Sequence, residues 1–127
     1  MKKSKLCRIL RTFSSEEQER FRAFVASPYY SRKPELPPLL ATLLQYWPAF
    51  EVDKKTIFAH TFPESPYDDK QFRYLTSDLN KLAEQFLAVQ TYQQQPVRHD
   101  LNTLLAFAER NLDKEYAHVH RRINQSF

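Results

Sequence analysis

Four histidines, one cysteine and a scatter of carboxylates are the side chains of this 127-residue chain that could carry chemistry, and their spacing argues against it. His118 and His120 stand two apart, which on a helix turns them about 200° from each other, so a single metal ion cannot take both. His60 and His99 have no Cys, Asp or Glu at ligand spacing on the same helical face. Asp68 and Asp69 read as helix-start residues rather than as a catalytic carboxylate pair. Cys7 lies beside an apolar face with no general base near it in sequence, and reads as a small buried or half-buried thiol rather than a nucleophile. No serine, histidine and acid stand in a recognisable local arrangement. Glycine is absent altogether, which excludes the phosphate-cradling loops and nucleophile elbows that need its positive φ or its close backbone approach. We therefore expect no enzymatic activity, no metal and no cofactor.

One donor-rich row remains. Lys70, Arg73, Tyr74, Ser77, Asn80 and Lys81 would fall on the outward side of a helix, and such side chains suit base edges and phosphates. The segment ahead of them supplies a helix and a turn, as in a helix-turn-helix. The turn is longer than the usual three or four residues, and Asp68, Asp69, Asp78 and Glu84 would set negative charge beside DNA. An ordinary solvated face explains the row more simply, so DNA recognition is the alternative reading. The net charge of +4 does not strengthen it: residues 1 to 13 carry five bases and no acid, while residues 14 to 127 carry 14 bases and 15 acids. A basic tail adds nonspecific affinity for phosphate, but the body is neutral.

The element that must organise the chain is the stretch from Asp68 to Gln94. Phe72, Leu75, Leu79, Leu82, Phe86 and Val89 recur at spacings of three and four, which places all six on one stripe of a helix roughly 40 Å long. Shorter helices must cover it. Leu6, Ile9, Leu10 and Phe13 predict one over Lys3 to Thr12. Ser14 or Ser15 with the following glutamates starts a second, which buries Phe21, Phe24 and Val25 and stops at Ser27 before Pro28. The proline-rich connection that follows carries Tyr29 and Tyr30, candidates for a recognition surface, though rings in such a place more often pin the loop to the core. Leu36 to Trp47 predicts a third helix with a wide apolar face, the expected partner of the long stripe, and Asp53 caps a short fourth one. After Pro96, Leu101, Leu104, Leu105, Ala108 and Leu112 are expected to face inward on one helix, and Tyr116, Val119, Ile123 and Phe127 on another. Asn111 between them suits a left-handed residue. Because that last stripe runs out to Phe127, Ile123 and Phe127 are expected to form a contact with another copy or with further helices of a longer chain.

A corner is used twice: Phe24, Ser27, Pro28 and Tyr29 match Phe62, Ser65, Pro66 and Tyr67 at a constant offset, although the flanking helices do not align. The segments RFRAFVASPYYSRKPEL and IFAHTFPESPYDDKQFRYLTSDLNKLAEQFL resemble the N-terminal region of an uncharacterised family of helical proteins from Bacteroidetes-type bacteria, in which similar corners precede a helix patterned like Arg73 to Phe86. That resemblance implies helical pairs and no assigned activity. Residues 53 to 92 are also faintly similar to the helix-turn-helix region of bacterial winged-helix activators, without the strand-forming wing.

The expectation is an all-α fold, an irregular bundle of six or seven helices around the long one at about 68 to 94, which could open an array of helical pairs. Residues 1 to 127 read as a single helical domain, the N-terminal part of a longer chain. Its expected function is a noncatalytic protein-interaction or scaffold module whose partner is protein, either itself or another chain, with Tyr29, Tyr30, Ile123 and Phe127 as candidate interface. No apolar run approaches the ~20 residues of a membrane span, and the basic N-terminus lacks an uninterrupted apolar stretch and a cleavage site, so we expect no membrane and a cytoplasmic location. The single cysteine leaves the fold to be held by packing alone.

Overall fold

Seven helices form among the described residues, and serine or aspartate side chains cap the start of four of them. In a computed structural model, which describes residues 1 to 125, these are α1 (Lys5–Arg11), α2 (Ser15–Ala26), α3 (Leu36–Leu44), α4 (Lys54–Thr61), α5 (Asp69–Gln93), α6 (Pro96–Glu109) and α7 (Asp113–Gln125), with no strand among the described residues. The Ser4 hydroxyl accepts from the Cys7 N–H at 3.2 Å, the Asp53 carboxylate from Thr56 N–H at 2.8 Å and Asp68 from Gln71 N–H at 3.1 Å. Ser14 and Glu17 form a full capping box, each side chain accepting the other's backbone N–H. Each cap satisfies a backbone amide that has no partner within its helix and stabilises the helix by about 1 kcal/mol.

The chain divides into two compact units at the Phe86–Leu87 step, within α5. In the first, the expected stripe is buried: Phe72, Leu75, Leu79, Leu82 and Phe86 all face the core, while Val89 lies past the boundary and is half-buried. The Phe86 ring is 5.7 Å from that of Phe13, 5.2 Å from Phe21 and 5.5 Å from Phe24, a four-ring cluster in tilted and edge-on arrangements. Such pairs add about 0.5–1.5 kcal/mol each beyond the apolar area they bury. The ring contacts of the stripe thus go to α2 and the α1–α2 junction. The helix from Leu36 does not run to Trp47 as expected; it ends at Leu44 and packs most closely on α2 and α4. Its last residues run on as turns ahead of Pro48, which disfavours helical geometry in the residue before it, and the Trp47 indole N–H donates to Leu10 O at 3.1 Å. Phe50 closes that connection with a φ of 51°, its amide bonded to Tyr46 O at 2.8 Å and its ring fully buried under the Arg11 guanidinium. A left-handed phenylalanine costs on the order of 1–2 kcal/mol, offset here by burial of the ring.

The second unit, from Leu87 onward, is built on the α6–α7 hairpin. Asn111 holds the turn at a φ of 58°, as expected of a residue standing where glycine usually does. The Leu112 N–H reaches back to Phe107 O at 3.0 Å and Asn111 N–H to Ala108 O at 3.2 Å, the paired bonds that close a helix end around a left-handed residue. Leu104, Val119 and Ile123 form the small core, with Phe107 packed against it. Asp100, itself buried, takes two bonds from the Arg122 guanidinium at 2.8 and 3.1 Å.

Two substitutions check these assignments. Leu82→Asp sets an unpaired charge in the middle of the covered stripe and is expected to abolish the cooperative thermal transition of the first unit, read by circular dichroism. Asn111→Gly is expected to leave stability level or slightly higher, while Asn111→Val should lower it by about 1–2 kcal/mol in a denaturant titration, because only the former tolerates positive φ.

Candidate interaction surface

The paired tyrosines of the α2–α3 connection split their roles. Tyr30 stacks on Phe24 at 3.9 Å between centroids and bonds Ser27 O through its amide at 3.1 Å, so it pins the loop. Tyr29 is 88 % exposed and touches Tyr30 edge-on at 5.1 Å. Of the two, Tyr29 is the one available to a partner.

The donor-rich row on α5 does not stay together. Lys70, Tyr74, Ser77 and Lys81 are exposed, with Lys70 lying over the Tyr74 ring at 5.8 Å. Arg73 is tied to Asp69 at 3.2 Å, one turn back along the same helix. Asn80 is only half-exposed, and its Oδ1 is enclosed, which takes it out of reach of a base edge. The acids expected to repel DNA are engaged: Asp78 pairs with Lys33 and Glu84 with Lys5. Asp69 also accepts the Tyr67 hydroxyl at 2.7 Å, and that bond, followed by the nearby Lys54 and Arg73 cations, holds its carboxyl below the usual range. Between α4 and α5 lie Phe62 to Asp68, seven residues, so the long turn read from the sequence is present.

Cys7 is fully buried and burial pushes its thiol up, which leaves it protonated and inert. Its amide donates to the Ser4 cap and its side chain is packed among buried residues. His118 and His120 diverge: His118 lines a shallow groove with Phe107, while His120 stacks on Tyr116 and bonds Asn124 on its own helix. Among the described residues no three His, Cys, Asp or Glu side chains come together in a way that could hold a metal ion. Among the described residues no helix is long and apolar enough to cross a membrane.

The surface feature that spacing alone misassigned lies on α6. Leu101, Leu105, Ala108 and Leu112 were expected to face inward with Leu104. Only Leu104 does. Leu101 is 51 % exposed, Leu105 58 % and Leu112 37 %, and Ala108 is exposed beside them. The reason is geometric: the apolar residues of α6 span more of its circumference than one partner helix covers, and α7 takes the Leu104 and Phe107 side. Tyr116, 38 % exposed, extends the apolar row onto α7. Ile123, expected at an interface, is instead buried against Leu104 and Val119, since the i, i+4 step from Val119 turns it to the same side. Phe127, its expected companion, lies outside the described residues. The signal that would have separated the two faces was the bond from half-exposed Arg122 to buried Asp100, which lies on the α7-facing side of α6; two charged residues 22 positions apart do not declare a pairing in sequence.

No protein-family model matches the chain, and no curated protein or solved structure is significantly similar to it.

The Asp100–Arg122 pair makes the hairpin sensitive to acid. Hydrogen bonds from Arg122, then its charge and the neighbouring His99, hold the Asp100 carboxyl below its ordinary value. Its stabilising contribution is complete above the unfolded carboxylate value of about 3.9 and is lost as pH falls through the lowered folded value. The protection factors of the α6 and α7 amides, corrected for the intrinsic exchange rate at each pH, are therefore expected to fall below about pH 4 in the wild type. In Asp100→Asn they should already be lower at neutral pH and respond less to acid over that range.

Proposed function

We propose that this chain is a noncatalytic helical protein-interaction module, and that the row Leu101, Leu105 and Leu112 on α6, continued by Tyr116, is its working surface. The observation that carries the reading is the exposure of two leucines one turn apart, each more than half open to solvent, on a helix whose adjoining Leu104 and Phe107 side is already packed. Single exposed leucines are ordinary, but a contiguous apolar row on a rigid hairpin is the usual form of a contact surface. Tyr29, open at the tip of a proline-rich connection in the other unit, offers a second, smaller point of contact. A single free cysteine, which leaves the fold to packing alone, fits a cytoplasmic setting for such a module. Nucleic-acid binding through Lys70, Tyr74, Ser77 and Lys81 has weaker support, because the Asn80 Oδ1 is enclosed and Arg73, though exposed, is paired with Asp69.

The test is made in the cells that produce the protein. Tagged at its own locus and run on a sizing column in clarified extract, the protein is expected to elute well above its own chain mass. Leu101→Glu with Leu105→Glu is expected to return it to that mass without loss of helical signal, since both side chains already face water. A wild-type protein that elutes as a single chain in extract would overturn the reading.

A further inference from the structure

The seam on α6 carries its own complement. Arg98, Leu101, Leu105, Ala108 and Leu112 follow one another at alternating spacings of three and four, the pattern of a coiled-coil edge. Arg98 and Glu109 flank it on the same side of the helix, and neither makes an ion pair among the described residues. Eleven residues separate them, about 16 Å along the axis, so they cannot meet within one chain. Laid antiparallel on itself about a two-fold axis at Thr103, the helix pairs them. Leu101 then faces the second copy's Leu105 and Leu105 its Leu101, while Arg98 comes opposite the second copy's Ala108. The small alanine leaves room for the arginine stem, and the guanidinium arrives level with the second copy's Glu109 to within one residue's rise, about 1.5 Å. The symmetry makes each of these contacts twice. A parallel pairing would put Arg98 against Arg98 and Glu109 against Glu109 instead.

Resting on the interaction reading above, we propose that the occupant of this surface is a second copy of the same chain, docked antiparallel through α6 with Leu101 and Leu105 at the centre and Arg98–Glu109 pairs at both ends. The helix is 14 residues long, and one such seam buries well under the ~800 Å² per partner typical of stable dimers, so the association is weak and concentration-dependent. A seam of this kind suits reversible self-assembly, or the alignment of two copies already brought near each other by something else.

The experiment is sedimentation equilibrium on the purified 127-residue chain between about 10 µM and 1 mM, the range in which a weak dimer titrates. Wild type is expected to rise from the monomer mass toward twice it. Leu105→Glu is expected to stay monomeric throughout with an unchanged circular dichroism spectrum. Arg98→Glu should weaken the dimer about tenfold, because two attractive contacts become two repulsive ones, and the reversal Arg98→Glu with Glu109→Arg should restore it. A wild-type chain that is monomeric at every concentration overturns the proposal, as does a dimer indifferent to Leu105→Glu or a reversal that fails to rescue. If the purified chain stays monomeric while the protein in cell extract still elutes as an assembly dependent on Leu101 and Leu105, the second copy is the wrong occupant and the interaction reading stands. If both are monomeric, both fall.

Discussion

A helix can bury only the side on which it has a neighbour, and that constraint separates the two units. In the first unit the stripe from Phe72 to Phe86 is narrow enough for its neighbours to cover, and it is dry along its length. Phe86 is where the covering is densest, with three phenylalanine rings from α2 and the α1–α2 junction around it. In the second unit α6 has apolar residues on two sides and α7 lies on one of them. The leucines on the other side are left in water. Burial of half-exposed leucine surface is worth on the order of 1 kcal/mol per residue, small beside the stability of a domain but enough to favour a partner that fits.

The polar groups reinforce this division. Asp100 and Arg122 clamp α6 to α7 by two charge-assisted bonds from one guanidinium to one carboxylate, which fixes the rotation of α6 about its own axis and so decides which leucines face out. The Schellman-type closure at Asn111 sets where the hairpin turns. With rotation and turn both fixed, the outward row is a surface of constant geometry, which a recognition surface requires. In the first unit the ion pairs do something different: Lys5 with Glu84 and Lys33 with Asp78 are solvent-exposed or nearly so, add little stability, and chiefly cancel charge along α5.

What could be read from the sequence was local. The caps at Ser14, Asp53 and Asp68 depend on residues three apart, the α5 stripe on a repeat of 3.6, and the left-handed Asn111 on one side chain's tolerance of positive φ; each is written within a few residues. The reused corner is partly legible too, since Ser27 N–H bonds Phe24 O and Ser65 N–H bonds Phe62 O in the same way. What could not be read was set by distant partners. The Trp47 indole finds its acceptor at Leu10 O, 37 residues earlier in the chain, and Phe50 takes a conformation that no propensity favours because its ring has a place to go. The side of α6 that faces α7 was decided by Arg122. For the candidate site the consequence was a shift: Ile123, expected on the apolar face and at a contact, is covered within the hairpin, while Leu101 and Leu105, expected inside, are surface.

The central claim is that the Leu101 and Leu105 side chains stand in water on a folded hairpin. Methyl NMR of the dilute chain with a soluble paramagnetic agent tests it most directly. The Leu101 and Leu105 methyl signals should broaden strongly as the agent is added, while those of Leu79 and Leu104 hold. Leu101 and Leu105 methyls as well shielded as Leu79 at the lowest workable concentration would contradict it.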